Sequence, residues 1–316
     1  MLQPVERRRR RRIRWHRLWP LLLLGAVAAA AGVVAGSRPR PHVVAPAPHV
    51  VAPPPAPAPK VERLVVGPPL VRSSLAVAAP SAIVIDAGTG RVVWQKRAHR
   101  RRQVASTTKI VTALLALRRL GPHDVVTVDR SVPRVPLVRE GLRAGEEVQA
   151  WKLFYGLLLY SGNDDALALA IAAAGSRAAF VHAMNAEALR LRLRDTHFRS
   201  PSGVEDEDNY SSAWDLAAVT RLALRNARFR AIVRTRRKEV AWSAPTFAKV
   251  YVNKNLMLTR YRGAIGVKTG FTTKAGHCLV AAATRGGRTL IAVVLDSPNT
   301  YGDATKLLNL GFTANS

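Results

Sequence analysis

The stretch from residue 82 to residue 94 is Ala82-Ile83-Val84-Ile85-Asp86-Ala87-Gly88-Thr89-Gly90-Arg91-Val92-Val93-Trp94. It holds two short, mostly apolar runs, 82–85 and 91–94, which are rich in β-branched residues. The segment between them contains two glycines, the composition of a tight turn. This pattern predicts a β-hairpin near the start of the folded part of the chain.

The strands on either side of a helical middle region define the fold class. After residue 260 the sequence is again β-rich, with runs at 265–268, 278–283 and 290–295 separated by glycine-containing turns. Helical patterns lie between the two β-rich ends, at 106–120, 153–160, 166–174, 178–191 and 215–224, and a short helix is predicted at 307–311. We therefore expect an α/β (α+β) fold in which an antiparallel sheet from both chain ends packs against a helical cluster.

The helix beginning at Ser106 carries the first chemical motif, Ser106-Thr107-Thr108-Lys109. Residues three apart lie on one face of a helix, so the Ser106 hydroxyl and the Lys109 amine are expected to meet. A serine nucleophile needs a base, and a lysine serves when burial or a neighbouring cation keeps it uncharged. The alternative is a capped helix with a surface lysine.

Two further triplets are candidates for the same site. Ser161-Gly162-Asn163 offers a hydroxyl that relays a proton and a carboxamide that both donates and accepts hydrogen bonds. Lys268-Thr269-Gly270 follows a predicted strand, and its glycine permits close approach of a substrate backbone. Each triplet alone also fits an ordinary loop or β-turn.

The choice of basic residue favours a catalytic interpretation. The chain has 10 lysines and 39 arginines, yet positions 109 and 268 are both lysine. Because arginine does not lose its proton, it could not act as the base.

Taken in order, these motifs resemble the serine penicillin-recognising enzymes, and in particular the D-alanyl-D-alanine carboxypeptidase family of low-molecular-mass penicillin-binding proteins. The resemblance covers about residues 80–313 and implies a β-lactamase/transpeptidase-like fold. Its motifs are 105–110 with Thr112-Ala113, 161–166, 196–198, 201–203, 210–213 with Asp215-Leu216, 253–255, 267–270, and 307–308 with Gly311-Phe312.

The resemblance implies a serine peptidase that acts on the D-Ala-D-Ala terminus of peptidoglycan stem peptides and is acylated by β-lactams. Ser106 would be the nucleophile, Lys109 its base, and Ser161 the relay that protonates the leaving amine. Asn163 would hold the substrate amide and orient Lys109, and Lys268 would keep Lys109 uncharged.

The remaining positions concern substrate binding. Thr269 would bind the terminal carboxylate beside Gly270, and the backbone N–H groups of Ser106 and Phe271 would form the oxyanion hole. The sequence departs from the family pattern at Val104 (commonly Pro), at Phe271 (often His), and at 299–303, where an arginine is missing. No cofactor and no metal is predicted.

The N-terminal region is expected to be a targeting segment that directs the chain to or across the membrane. Residues 1–17 form a basic cytoplasmic segment, and residues 18–36 are uncharged over 19 positions, roughly 28 Å as a helix. Residues 18–36 are predicted to be a signal peptide or a membrane anchor. A proline-rich linker is predicted at 37–79 and the catalytic domain at 80–316, on the extracytoplasmic face of the bacterial membrane or secreted to the cell wall.

Competing functions leave distinct traces in the sequence. The net charge of +29 permits a nucleic-acid binder, but no basic patch interleaved with aromatic residues is present, so no nucleic-acid partner is expected. A class A β-lactamase needs a deacylating Glu-x-x-Leu-Asn loop, which is missing between Asn163 and Lys268. A non-catalytic penicillin-binding regulator and a DD-endopeptidase of the same fold stay as alternatives.

The other reactive residue types have structural interpretations. The histidines have no metal-ligand spacing, and His197 and His277 are expected to be structural. Cys278, the single cysteine, is predicted to be a small buried apolar group on a strand. The acidic run 205–208 is predicted to be a solvated loop.

Overall fold

The strands that flank the helical middle region pair with one another in a central sheet. In the part of the chain that the computed structural model describes, the nine strands are β1 Ser81–Asp86, β2 Val92–Lys96, β3 Val125–Thr127, β4 Glu147–Gln149, β5 Arg237–Val240, β6 Lys249–Val252, β7 Ala264–Thr272, β8 Gly276–Arg285 and β9 Arg288–Leu295. Five of them form an antiparallel sheet in the order β2-β1-β9-β8-β7. The N-terminal hairpin thus joins the C-terminal strands, and the predicted fold class is confirmed.

The structure describes residues 64–72, 74–136, 138–204, 209–242 and 247–314. The predicted basic segment, apolar segment and most of the proline-rich linker, as well as the acidic run 205–208, lie outside these residues.

The described residues form eight α-helices. They are α1 Lys109–Arg119, α2 Ala150–Tyr155, α3 Asn163–Ala174, α4 Arg177–Arg190, α5 Ala213–Ala223, α6 Ala227–Val233, α7 Met257–Arg260 and α8 Thr300–Thr313. No single helix in the described part of the chain is long and apolar enough to cross a membrane; α3 and α4 together pass by length and composition but are bent by 84°.

The sheet is buried on both faces, which explains the nearly continuous apolar runs of its strands. Alternate residues such as Ile83 and Val293 face the helical cluster, which includes Ile110 and Leu216. Their neighbours face the opposite side, where Leu307 packs. The α8 helix therefore closes the second face of the sheet.

The folded part begins before the predicted boundary at residue 80. Leu64 and Val65 are buried in the core, and the backbone N–H of Val66 donates to the Gly90 carbonyl. Farther along, the Val71 N–H donates to the carbonyl of Val93. The segment 64–71 is thus packed along β2, and its proline content misled the linker prediction because prolines are also tolerated beside an edge strand.

Two other differences concern short or amphipathic elements. The last helix spans Thr300–Thr313, not only the predicted 307–311, because Asn299 caps it by accepting a hydrogen bond from the Gly302 N–H. The small sheets β3–β4 and β5–β6 were not predicted, since strands of three or four residues carry too few positions to show a period.

Candidate active site

Ser106 sits in a tight 3₁₀ turn that leads directly into α1. The turn spans Ala105–Thr108, and the hydroxyl of Thr107 donates to the Val104 carbonyl over 2.7 Å. Ala105 adopts φ 47°, a left-handed conformation that is uncommon for a residue with a side chain. Such backbone strain persists where the surroundings hold it in place, as they do beside many functional residues.

Lys109, one turn after Ser106, is fully buried at 0 % exposure. Its Nζ lies 2.9 Å from Ser106 Oγ, 2.7 Å from Asn163 Oδ1 and 3.1 Å from the Ser202 carbonyl oxygen. The two oxygens of Asn163 and Ser202 only accept hydrogen bonds. Of these three partners, only the Ser106 hydroxyl carries a hydrogen, so an uncharged Lys109 could accept from it while donating to the other two.

The second motif follows a π-helical turn, Gly156–Tyr160, at the end of α2. Ser161 adopts a left-handed φ of 77°, and its N–H donates to the Gly156 carbonyl. Asn163 is the first residue of α3, and its Nδ2 donates to the Pro136 carbonyl over 3.1 Å. This contact directs Oδ1 of Asn163 toward Lys109.

A loop beside Asn163 is held by Asp164. Its carboxylate accepts hydrogen bonds from the backbone N–H groups of Glu140, Gly141 and Leu142 over 2.8 to 3.2 Å. The Glu140 carboxylate in turn accepts from Lys249 Nζ over 2.6 Å and from the hydroxyl of Tyr251 over 3.1 Å. The loop is therefore fixed between α3 and the β5–β6 hairpin.

The third motif lies on β7, which is an edge strand of the central sheet. A Cβ placed on Gly270 would lie 3.0 Å from the Val104 carbonyl oxygen and 3.1 Å from the Ser106 nitrogen. The absence of a side chain at Gly270 therefore lets β7 pass close to the turn that carries Ser106.

Two residues of β7 on either side of Gly270, Lys268 and Phe271, differ in burial. Lys268 is 1 % exposed, its Nζ donates to the Thr269 carbonyl over 3.0 Å, and burial, followed by the charge of Lys254, lowers its pKa to about 7. Phe271 is 58 % exposed and stacks on His277 with ring centroids 4.4 Å apart. The action of Lys268 on Lys109 stays a prediction.

These elements enclose a cavity of about 410 Å³. Five predicted site residues line it, namely Ser106, Ser161, Thr269, Gly270 and Phe271. Lys109, Asn163 and Lys268 are buried around it. A larger cavity of about 860 Å³ lies at α5, α6 and the β1–β2 turn and is lined by none of the predicted site residues.

Sequence reasoning missed several groups at this site. The Ser202 carbonyl is a backbone group, so no side chain marks it in the sequence. The neighbouring glycine, Gly203, indicates a close approach of two backbone segments, since a Cβ there would lie 2.2 Å from the Ala105 carbonyl oxygen. Lys254, Thr300 and Tyr301 also line the cavity. The segment 299–303, where an arginine was missing, thus contributes two uncharged side chains.

Other predictions concern groups that are not among the predicted site residues, one of which, Cys278, also lines the 410 Å³ cavity. Cys278 is buried, and burial raises the pKa of its thiol to about 11, as expected for a structural cysteine. Among the described residues, no group of three or more His, Cys, Asp and Glu side chains is placed to hold a metal ion.

Comparisons with known proteins agree with the motifs. Residues 69–299 match the sequence profile of the family described as D-alanyl-D-alanine carboxypeptidase. The D-alanyl-D-alanine carboxypeptidase of Streptomyces sp. (strain K15) is 39 % identical over 259 residues, 75 % of this chain and 88 % of the relative. The D-alanyl-D-alanine endopeptidase of Escherichia coli (strain K12) is 32 % identical over 240 residues, 73 % of this chain and 76 % of the relative.

A solved structure shows the same fold. The crystal structure of the Streptomyces K15 DD-transpeptidase matches with a TM-score of 0.72 and 35 % identity, covering 77 % of this chain and 100 % of that one. Other curated relatives are longer, and the chain covers 63–64 % of three of them. These similarities confirm the resemblance predicted from the sequence motifs.

Proposed function

Because this chain belongs to the D-alanyl-D-alanine carboxypeptidase family, we propose that it hydrolyses the D-Ala-D-Ala terminus of peptidoglycan stem peptides through an acyl-enzyme on Ser106. The observation that carries the proposal is the 2.9 Å contact between Lys109 Nζ and Ser106 Oγ, next to a cavity of substrate size. A buried amine beside a hydroxyl is the arrangement of an activated serine nucleophile.

The acylation step uses the three motifs together. Ser106 Oγ attacks the carbonyl carbon of the penultimate D-Ala, and Lys109 takes the hydroxyl proton. The carbonyl oxygen becomes an oxyanion, bound by the backbone N–H groups of Ser106 and Phe271. The amide C–N bond then breaks, and the leaving D-Ala amine receives the proton through Ser161.

The remaining side chains bind and orient the substrate. Asn163 holds the peptide amide and directs Lys109, Lys268 keeps Lys109 uncharged, and Thr269 on β7 binds the substrate's terminal carboxylate. Gly270 leaves room for the peptide backbone beside the strand. Water then attacks the Ser106 ester, which releases the shortened peptide as a carboxylic acid and restores the serine hydroxyl. A β-lactam acylates Ser106 in the same way and is hydrolysed slowly.

The leaving group distinguishes this function from the second candidate. The E. coli relative named as an endopeptidase makes a DD-endopeptidase the second candidate, since both activities cleave after a D-Ala carbonyl and differ in the leaving group. Release of D-Ala from a pentapeptide, compared with cleavage of a cross-linked peptide dimer, separates the two activities.

Labelling with a fluorescent penicillin tests the nucleophile. The full chain should become covalently labelled, Ser106→Ala should not, and the control Ser176→Ala, which removes an exposed cap of α4, should label like the wild type. Equal labelling of Ser106→Ala would reject Ser106 as the acylated residue.

The location of the enzyme is part of the proposal. The basic segment 1–17 followed by the uncharged segment 18–36 supports placement of the catalytic domain on the extracytoplasmic face of the membrane, or its secretion. Fractionation of cells expressing the full chain, with the N-terminal sequence of the mature protein, tests both outcomes. A cytoplasmic protein with an intact N-terminus would contradict them.

A further inference from the structure

The proposed substrate ends in a carboxylate, and a binding cavity for such a peptide needs a cation that the carboxylate can reach. Lys109 and Lys268 are nearly inaccessible, at 0 % and 1 % exposure. Their amines already contact acceptors inside the protein, including Asn163 Oδ1 and the Thr269 carbonyl. Neither is well placed to form an ion pair with an incoming ligand.

Lys254 differs from both of these lysines. It is exposed, and among the residues that line the 410 Å³ cavity it is the one lysine or arginine. It shares that lining with Ser106 and Thr269, and the uncharged Thr300 and Tyr301 belong to the same wall.

The backbone at Lys254 is fixed although its side chain is exposed. The Lys254 N–H donates to the Leu159 carbonyl over 3.3 Å, and its carbonyl accepts from the Tyr301 hydroxyl over 3.1 Å. The flanking Asn253 and Asn255 are buried, and Asn253 Nδ2 donates to the carbonyls of residues 233 and 235. The position of the amine is therefore restricted before any ligand binds.

The amine itself is not neutralised by a carboxylate. Its Nζ lies 4.4 Å from the ring centroid of Tyr160, a cation–π contact, and none of the ion pairs among the described residues includes it. Its positive charge contributes to the lowered pKa of Lys268, which places it close to the KTG motif of β7. A carboxylate bound beside Thr269 would lie in the cavity that Lys254 also lines.

From this geometry we propose that Lys254 binds the terminal carboxylate of the peptide and makes the enzyme selective for substrates with a free C-terminus. The inference rests on the proposed function, because it assumes that the cavity takes a D-Ala-D-Ala peptide. Lys254 is a specificity-determining residue in this proposal, and acylation of Ser106 does not pass through it.

The test compares two substrates with three variants of the full chain. One substrate is an N-acylated tripeptide ending in D-Ala-D-Ala with a free carboxylate, and the other is its C-terminal amide. Lys254→Met keeps the length of the side chain and removes the charge, whereas Lys254→Arg keeps the charge. Lys152→Met is the control, since Lys152 also lies over aromatic rings, those of Trp151 and Trp242, but does not line the cavity.

Lys254→Met should lower kcat/KM for the free acid about 10- to 100-fold and change that for the amide less than about twofold, since a charged hydrogen bond is lost only with the acid. Lys254→Arg should keep most of the wild-type preference, and Lys152→Met should match the wild type. An equal loss of kcat/KM on both substrates, or no loss on the acid, would overturn the role of Lys254 and leave the proposed function intact. If the wild type cleaves neither peptide and takes up no penicillin, the proposed function fails, and this inference with it.

Discussion

Asn163 joins two parts of the site that are distant in sequence: its Oδ1 accepts from Lys109 Nζ over 2.7 Å while its Nδ2 donates to the Pro136 carbonyl over 3.1 Å. One carboxamide thus links the helix of the nucleophile to the loop that Asp164 holds. Because both ends of the amide are engaged, the orientation of Asn163 is fixed, and so is the acceptor that faces the amine.

The first prediction concerns this link. Asn163→Ala should slow penicillin acylation about 100-fold or more, because Lys109 loses the partner that orients it toward Ser106. Asn163→Asp should also be slow, since a carboxylate beside Lys109 favours the charged ammonium, which cannot take a proton. Stopped-flow acylation by a fluorescent penicillin measures both. Asn309→Ala, which removes the acceptor of a partly buried hydrogen bond from the Tyr261 hydroxyl, is the control and should acylate at the wild-type rate.

If Asn163→Asp acylates as fast as the wild type, the amine does not act as the base in its uncharged form. Loss of folding is checked separately by thermal denaturation, since Asn163 is buried at the start of α3.

The convergence of the three motifs could be predicted from the sequence, but the groups around them could not. Ser106 and Lys109 are one helical turn apart, so local geometry alone brings them together. Lys268 and Gly270 lie on or beside the run at 265–268, whose residues predicted a strand. The Ser202 carbonyl, in contrast, is a backbone group that any residue supplies, and its place depends on how the 200–203 turn packs against Ala105.

The same distinction applies to the fold. Strands β1, β8 and β9 are buried on both faces and have runs of apolar residues long enough to be identified. The position of Lys254 depends on the β5–β6 hairpin, whose strands have four residues each. A two-stranded sheet of that length is stabilised by its contacts with the rest of the domain, and those contacts cannot be predicted from the residues of the two strands themselves.

The second prediction concerns the close approach of β7 to the nucleophile. Gly270→Ala would place a Cβ 3.0 Å from the Val104 carbonyl oxygen and 3.1 Å from the Ser106 nitrogen, tighter than an ordinary contact. We expect acylation by penicillin to fall about tenfold or more, because β7 must shift and carry the Phe271 N–H away from the Ser106 N–H, with which it is proposed to form the oxyanion hole. The melting temperature should fall by only a few degrees, about the effect of a 1 kcal/mol destabilisation. Wild-type acylation in a folded Gly270→Ala variant would contradict the proposed position of the oxyanion hole.

The third prediction concerns the pair formed by Glu140 and Lys249. Glu140→Gln should lower the free energy of unfolding by about 1–3 kcal/mol, since it leaves the Lys249 amine without its carboxylate partner in a largely buried site. Glu239→Gln is the matched control, because it breaks the exposed pair with Arg237 and should change stability by less than about 0.5 kcal/mol. Urea denaturation of the full chain measures both variants. Equal effects would show that Glu140 does not hold the loop to the hairpin.

The last prediction concerns the buried amine of Lys268. Burial lowers its pKa to about 7 in the folded protein, whereas a lysine in the unfolded chain titrates near about 10.4. Below pH 7 the amine is charged in both states, and the folded state bears the full desolvation penalty of a buried ammonium. Between about pH 7 and pH 10 only the unfolded chain holds the proton, so the stability of the wild type rises with pH in that window.

Lys268→Met should therefore increase the free energy of unfolding most at pH 6, and the gain should shrink as the pH is raised to 9, while penicillin acylation is lost at every pH. Lys306→Met, which replaces an exposed lysine on α8, should show no such trend in the difference from wild type. Urea denaturation at pH 6, 7.5 and 9 measures the three proteins. A gain that stays constant between pH 6 and pH 9 would mean that the Lys268 amine binds its proton equally in the folded and the unfolded chain, so burial would not lower its pKa.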